Sequence, residues 1–276
     1  MGDAVAYSSL ERIDDLQRGG CVLIQRPDLF CFGIDAVLLA SWAEAGRGGR
    51  VLDLCSGNGV IPILMDAHLP EHLRQEGSVR FTGVEINSTS VDMARRSAGM
   101  NGQSGRISFL EGDIRMVCRT RHTDIEEDRY ERRDGLRTGK DPGLIPGSFD
   151  CVTMNPPYMT GGGGLTGDNS AKTIARHEIT CTIDDAAAAA SRALKAGGHL
   201  YMVHRPHRLG DIFRALEGNG LGVKRIRMVH PFADKEANMV LIDAAKGGKS
   251  YVHVQKPLIV YRSPGEYTEE VREMYG

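Results

Sequence analysis

The stretch Val152-Thr153-Met154-Asn155-Pro156-Pro157-Tyr158 decides how the chain is read, because it joins a strand end, a polar hook and an aromatic ring. The run from Phe149 to Met154 has the length and the β-branched, apolar content of a buried strand, and two consecutive prolines cannot continue a hydrogen-bonded ladder. The strand therefore ends near Asn155. In open α/β sheets ligands bind outside the carboxyl ends of the strands. Pro156 holds Asn155 extended, so the Asn155 side-chain oxygen and the Pro156 carbonyl converge as two acceptors on one small space. A planar amine placed there donates both hydrogens, with Tyr158 stacked on the attached ring. Asn155, Pro156, Pro157 and Tyr158 are thus the candidate catalytic residues for chemistry on the exocyclic amine of a base. A Pro-rich turn after a core strand is the bland alternative, and the stretch alone fits both.

Working outward, three earlier strands each finish in an acid. Arg50 to Leu54 is an apolar strand carrying Asp53, and Cys55-Ser56-Gly57-Asn58-Gly59 separates it from the helical Val60 to His68. Gly57 and Gly59 let the backbone turn tightly and approach a ligand, while the helix N-terminus presents unpaired N–H groups. A dinucleotide fingerprint needs a third glycine where this chain has Pro62, which disfavours a nicotinamide-dependent oxidoreductase. The strand Arg80 to Glu85 ends in an acid suited to ribose hydroxyls. Ser88 or Thr89 caps a helix to about Met100, and Ile107 to Leu110 leads to Glu111-Gly112-Asp113. One acid at a strand end is an ordinary turn residue. Asp53, Glu85 and Asp113 at successive strand ends, beside glycines, point to a nucleoside site.

The flanks are read as follows. Residues 1 to 20 form a polar lead, and Cys21 to Gln25 and Leu29 to Phe32 are two strands around Arg26-Pro27-Asp28, making a small hairpin cover. Asp35 is placed as the N-cap of a helix over Ala36 to Glu44. Arg115 to Gly147 is a charged surface insertion with little apolar periodicity. After the hook come the glycines 161 to 164 and Arg176-His177-Glu178, then an alanine-rich helix from Thr182 to Lys195 stopped by Gly197-Gly198. His199 to His204 is a strand and His207 to Leu216 a helix. Lys224 to His230 and Asn238 to Ala244 form a closing antiparallel hairpin. The expected organisation is a cover and opening segment over 1–35, a main α/β domain over 36–250 interrupted at about 115–147, and a tail over 251–276 packed on it.

Composition limits the partners. The 276 residues are 41% hydrophobic, ordinary for a packed core, and 34 Lys and Arg against 36 Asp and Glu give a net charge of -2, which argues against whole-surface attraction to nucleic acid. The last third is the cationic part. Six scattered cysteines lack metal-ligand spacing, so reduced thiols and no metal are expected. With no leader and no long apolar run, a cytoplasmic protein with no membrane contact is expected.

Glycines after the first strand of the main domain, acids after its first three strands, the hook after the fourth and a final hairpin describe a class I methyltransferase layout. Its seven-stranded, mostly parallel sheet would bind S-adenosylmethionine across the carboxyl edge. Asp53, Ser56, Gly57 and Gly59 would lie near the methionine part, Glu85 on the ribose, Asp113 near the adenine amino group and Asn155 at the meeting point with substrate.

The chain also resembles the bacterial adenine N6-methyltransferases that modify the adenosine next to the anticodon of valine tRNA. The likeness rests on Phe32-Gly33-Ile34-Asp35-Ala36-Val37-Leu38-Leu39, Val51-Leu52-Asp53-Leu54, Gly57-Asn58-Gly59, Asn155-Pro156-Pro157-Tyr158, Arg176-His177-Glu178, Val203-His204-Arg205-Pro206 and Lys246-Gly247-Gly248. It implies that Asp35 borders the methionine end of the cofactor and that Arg176, Arg205 and Arg208 face RNA, with tRNA as the partner. Cys55 departs from the glycine that many relatives carry. Methylation of guanine N2 in RNA or of a protein glutamine amide suits the same hook, and a non-catalytic RNA-binding module is the alternative of another class.

Overall fold

The computed structural model describes residues 8–29, 31–46, 48–119, 140–156 and 181–276. Pro157, Tyr158, Arg176, His177, Glu178 and the glycines 161 to 164 lie outside the described residues, as does most of the expected 115–147 insertion.

An antiparallel hairpin of β1 (Arg12–Asp15) and β2 (Val22–Gln25) opens the described chain. This corrects the expected pairing, since β2 joins the polar lead rather than Leu29 to Phe32. Leu23 and Ile24 of β2 are fully buried while β1 lies towards solvent, so β1 carries no apolar signature to read. Helix α1 (Ile34–Trp42) follows, with Gly33 as its N-cap. Asp35 is therefore a first-turn residue and not the cap.

Strand β3 (Arg50–Leu54), helix α2 (Val60–His68), the short helix α3 (Glu71–Glu76) and strand β4 (Arg80–Glu85) come next. Helix α4 (Ser88–Met100) is capped by Asn87, whose side chain accepts from the N–H groups of Thr89 and Ser90. Neither Ser88 nor Thr89 is the cap. Strands β5 (Ile107–Glu111) and β6 (Phe149–Met154), helix α5 (Ile183–Ala193) and strand β7 (Leu194–His204) complete a parallel set. Helix α5 stops at Ala193, and Gly197-Gly198 lies inside β7, where its pairing with β6 is irregular. Helix α6 (Leu209–Gly218) leads to β8 (Leu221–His230) and β9 (Met239–Lys246), which pair antiparallel.

The sheet order is β5-β4-β3-β6-β7-β9-β8. The chain moves outward from β3 to β5 and then returns to the other side of β3 with β6. The carboxyl ends of β3 and β6 are therefore the topological switch point, where open α/β sheets form a crevice. Two short strands, β10 (His253–Val254) and β11 (Leu258–Ile259), extend the sheet along β8 to nine strands instead of the expected seven. A hairpin of β12 (Tyr261–Ser263) and β13 (Glu266–Tyr267) and helix α7 (Glu269–Tyr275) finish the chain.

Both faces of the sheet are covered. Val51, Phe81 and Phe109 pack with α1, α2 and α4 and with Val271 of α7. Leu52, Leu54, Val152 and Met154 pack with α5 and α6 on the other side. A fully buried leucine contributes about 1.5–3 kcal/mol, so Leu52 and Leu54, both at 0% exposure, hold β3 in register at the centre. Among the described residues no helix is long and apolar enough to cross a membrane.

Candidate cofactor and active site

Strand pairing sets the site. Asp53 is opposite Gly83 on one side and Thr153 on the other, so it stands in the middle of the sheet one step before the carboxyl edge. It is 1% exposed. The Thr153 hydroxyl donates to its Oδ1 at 2.7 Å, while among the described residues Oδ2 of Asp53 and the buried Oγ of Ser56 have no hydrogen-bond partner. Burial pushes the Asp53 carboxyl up to about 7, with the Thr153 hydrogen bond and the nearby Ser56 hydroxyl opposing and the charge of Glu85 adding to the rise. The Ser56 hydroxyl is close enough to favour the charged form though outside good hydrogen-bond geometry.

The turn that follows is held by its own residues. Cys55 adopts φ of 58° and Gly57 54°, a left-handed conformation that only glycine takes without cost. Gly59 has φ of 84°, and a Cβ there would meet the Phe109 ring at 2.5 Å, so the loop is pressed onto β5. Over Gly57 a Cβ would meet nothing within 4 Å among the described residues, which leave that side of the loop open. Glu85 ties the loop to the next strand: its Oε2 accepts from the Gly57 N–H at 3.0 Å and its Oε1 from the Asn87 N–H at 2.9 Å. Each carboxylate oxygen retains acceptor capacity beyond that one bond.

Asp113 is also at this edge and is 2% exposed. Its carboxylate is committed to Arg115, which donates its backbone N–H at 2.9 Å and its side chain at 3.0 Å (Nε) and 2.5 Å (Nη2). Asn155 follows β6 directly and is half-buried, with Pro156 buried beside it. One strand separates the ends carrying Asn155 and Glu85, a gap of roughly 10 Å at the usual strand spacing. The described chain leaves this edge at Pro156 and returns at Cys181, which lies against Cys55 and, together with burial, raises the Cys55 thiol well above its ordinary value.

Asp35 is 8% exposed in the first turn of α1 and accepts from the Ala36 N–H at 3.0 Å. Helix α1 packs against α2, the helix that starts at the glycine turn. Arg205 and Arg208 follow β7, next to β6. Arg205 Nη1 donates to the Asn238 carbonyl at 2.9 Å, and Arg208 Nε donates to Asp211 at 2.9 Å. Beside them His204 is 3% exposed, and burial, followed by the charge of Arg208, lowers it to about 4.

Sequence reasoning passed over Gln25. It is 2% exposed, and its Oε1 accepts from the Phe32 N–H at 3.0 Å and from Asn58 Nδ2 at 3.3 Å, while its Nε2 donates to Asp14. One side chain thus joins the hairpin, the segment before α1 and the glycine turn. The available signal was a polar residue ending an otherwise apolar run.

A concavity of about 770 Å³ opens at the opposite edge of the sheet around His199, Arg225 and Asp243. Its charges pair internally, since Asp243 accepts from Arg225 at 2.7 Å and bonds His199 at 2.6 Å, and Arg225 reaches Glu44 at 3.0 Å. The switch-point edge, with its orphaned buried oxygens and open glycine turn, is the candidate ligand site.

No family model matches the chain. It is similar to the tRNA1(Val) (adenine(37)-N6)-methyltransferase of Aeromonas hydrophila, 24% identical over 237 residues, covering 86% of this chain and 85% of that one. The enzyme of that name from Porphyromonas gingivalis is 24% identical over 265 residues, covering 93% and 88%. Among solved structures, a predicted O-methyltransferase from Agrobacterium tumefaciens superimposes with a TM-score of 0.63 at 26% identity, covering 87% of this chain and 95% of that one. Geranyl diphosphate C-methyltransferase from Streptomyces coelicolor, solved with S-adenosyl-L-homocysteine, gives 0.50 at 13% identity over 77% and 80%. The chain therefore has the class I methyltransferase fold and is similar, along most of its length, to the tRNA1(Val) adenine-N6 methyltransferases.

Proposed function

We propose that the protein transfers a methyl group from S-adenosylmethionine to the exocyclic N6 amine of an adenine in RNA, namely tRNA beside the anticodon. The observation that carries this reading is Asn155-Pro156 at the end of β6, across the switch point from the buried Asp53 and the open glycine turn. The donor set fits the cofactor. Its methionine part bears an ammonium group, for which Asp53 Oδ2, ionised by that charge, and the Ser56 hydroxyl, both without a hydrogen-bond partner among the described residues, are chemical complements. Gly57 and Gly59 allow close approach, Asp35 borders that end, and Glu85 has lone pairs left for ribose hydroxyls. Asp113 would accept from the adenine amino group once Arg115 turns out. The named relatives, which share this length of sequence, support the substrate.

When bound, the cofactor supplies an activated methyl group on a sulfonium. What remains for the protein is alignment and exclusion of water. Asn155 Oδ1 and the Pro156 carbonyl accept the two amine hydrogens, which holds the nitrogen lone pair towards the methyl carbon. Tyr158 and Pro157, assigned from sequence alone, complete the hook, Tyr158 as the ring that stacks on the base. Arg176, Arg205 and Arg208 bind RNA. The substitution Asn155→Ala is expected to lower kcat by about 100-fold or more while S-adenosylhomocysteine affinity, measured by calorimetry, stays within about threefold. Loss of both together would assign Asn155 to cofactor binding or folding.

A further inference from the structure

From Ala244 to Gly265 the chain contains no Asp or Glu, yet it carries Lys246, Lys249, His253, Lys256 and Arg262. Ala244 to Lys246 close the interior strand β9, and from Tyr251 the strip is fastened along the outer edge of the sheet. Tyr251 N–H donates to the Val223 carbonyl at 3.0 Å, Gln255 N–H to Ile226 at 2.9 Å and Val260 N–H to His230 at 2.8 Å, so the strip runs beside β8 and in its direction. It reaches the carboxyl edge, where Tyr261 stacks on Tyr267 with ring centroids 5.2 Å apart and meets the Phe232 ring, tilted at 35°, at 5.5 Å.

Its side chains are arranged for contact. Tyr251 is 82% exposed and Val254 62%, and Lys249, His253 and Lys256 are exposed as well. The arginines facing out from β8 are neutralised, Arg225 by Asp243 and Glu44 and Arg227 by Glu270. Among the described residues no carboxylate pairs with Lys249 or Lys256. Between this edge and the end of β6 stand β7, β9 and β8, roughly 15–20 Å across at the usual strand spacing, and Lys249 and Tyr251, beside Val223 at the amino end of β8, lie roughly 20–25 Å further back along the strand, with Arg205 and Arg208 at the carboxyl edge. An anionic polymer with one base at Asn155 can lie across Arg205 and along the strip.

We propose that the acid-free strip 244–265 docks the phosphate backbone of the substrate RNA outside the reacting base, with Lys249 and Lys256 neutralising phosphates and Tyr251 stacking on an unpaired base. The proposal rests on the RNA reading given above. Lysines on an outer strand have a second use, guarding the sheet edge against pairing with another copy, and the test separates the two.

The experiment measures binding of the full chain to unmodified bulk tRNA across a salt series, together with methyl transfer to the same tRNA. The variants are Lys249→Gln/Lys256→Gln and Tyr251→Ala. The lysine pair is expected to lower affinity about tenfold and to flatten the plot of log K against log salt by roughly 1.5. Tyr251→Ala is expected to lower affinity about tenfold with an unchanged slope. Both variants should keep wild-type S-adenosylhomocysteine affinity and melting temperature. Unchanged RNA affinity and slope overturn the proposal, and so does self-association of the lysine variant at unchanged RNA affinity. If the wild type methylates tRNA while the variants bind as it does, the strip alone is refuted. A wild type that neither binds nor methylates tRNA refutes the RNA reading and the strip together.

Discussion

Asp53 is a carboxyl group kept from water in the centre of a sheet, and its titration near 7 is the sharpest chemical feature of the site. Because the folded value lies above the unfolded one, the native state holds this proton more tightly. The stability it contributes is complete below about pH 4 and is lost as pH rises through about 7, a loss on the order of 4 kcal/mol. Asp53→Asn should therefore raise stability at pH 8 by about 2–4 kcal/mol and flatten the dependence between pH 5 and 8, as read from urea midpoints. Binding a cationic ammonium at the same oxygen favours the ionised form. Wild-type S-adenosylhomocysteine affinity should accordingly increase with pH through about 7, and the variant should bind weakly with no such slope. A variant with the wild-type pH profile would remove Asp53 from the site. The strand-end positions of Asp53, Glu85 and Asn155 were legible because a strand followed by glycine or proline must stop there. The commitment of Asp113 to Arg115 was not, since the two meet through a single turn whose shape the spacing does not reveal. Asp35 was misplaced as a cap because glycine serves at that position too. Cys55 at φ of 58° explains why glycine suits the position.

At the scale of elements, the hairpin is a support for the glycine turn. Asn101 accepts from the Val22 N–H at 2.9 Å and Ser97 from the Ile24 N–H at 2.9 Å, which fixes β2 on α4, and Gln25 passes that constraint to Asn58. Gln25→Ala leaves the Phe32 N–H and the Asn58 amide without their acceptor. The expected cost is about 1–3 kcal/mol of stability, with cofactor affinity down about tenfold. The exchange Asp14→Asn/Gln25→Glu keeps Oε1 as acceptor but gives up the Arg12–Asp14 ion pair and buries a carboxylate, so it should restore cofactor affinity and not stability. Calorimetry on the single and double variants checks this, and failure of the exchange to rescue affinity would make Gln25 a packing residue only. The spans of β3, α2, β4 and β6 follow from the sequence to the residue, since each is an apolar run bounded by turn residues. The hairpin partner did not, because β1 is polar on its exposed side and carries no alternation. Asn87, Ser88 and Thr89 are all good caps, and adjacency alone could not choose among them.

For the whole molecule, the alternation of strands and helices prescribes a parallel sheet, and the absence of a helix between β8 and β9 prescribes the antiparallel closing pair. The tail was opaque. Its strands span two or three residues, below the length at which periodicity speaks, and β10 and β11 pair back onto β8 while β12 and β13 pair only with each other. Val271 and Met274 then bury against the same core as α1, and His68 Nε2 donates to the Met274 carbonyl at 3.0 Å. The central claim is that this fold presents one base amine to one methyl donor. The measurement that tests it most directly is transfer of label from S-adenosylmethionine to unmodified tRNA, ribosomal RNA, DNA and cell protein in parallel, followed by digestion to nucleosides or amino acids. Label is expected in tRNA, recovered as N6-methyladenosine. Label recovered in guanosine or in glutamine, with none in adenosine, would contradict it.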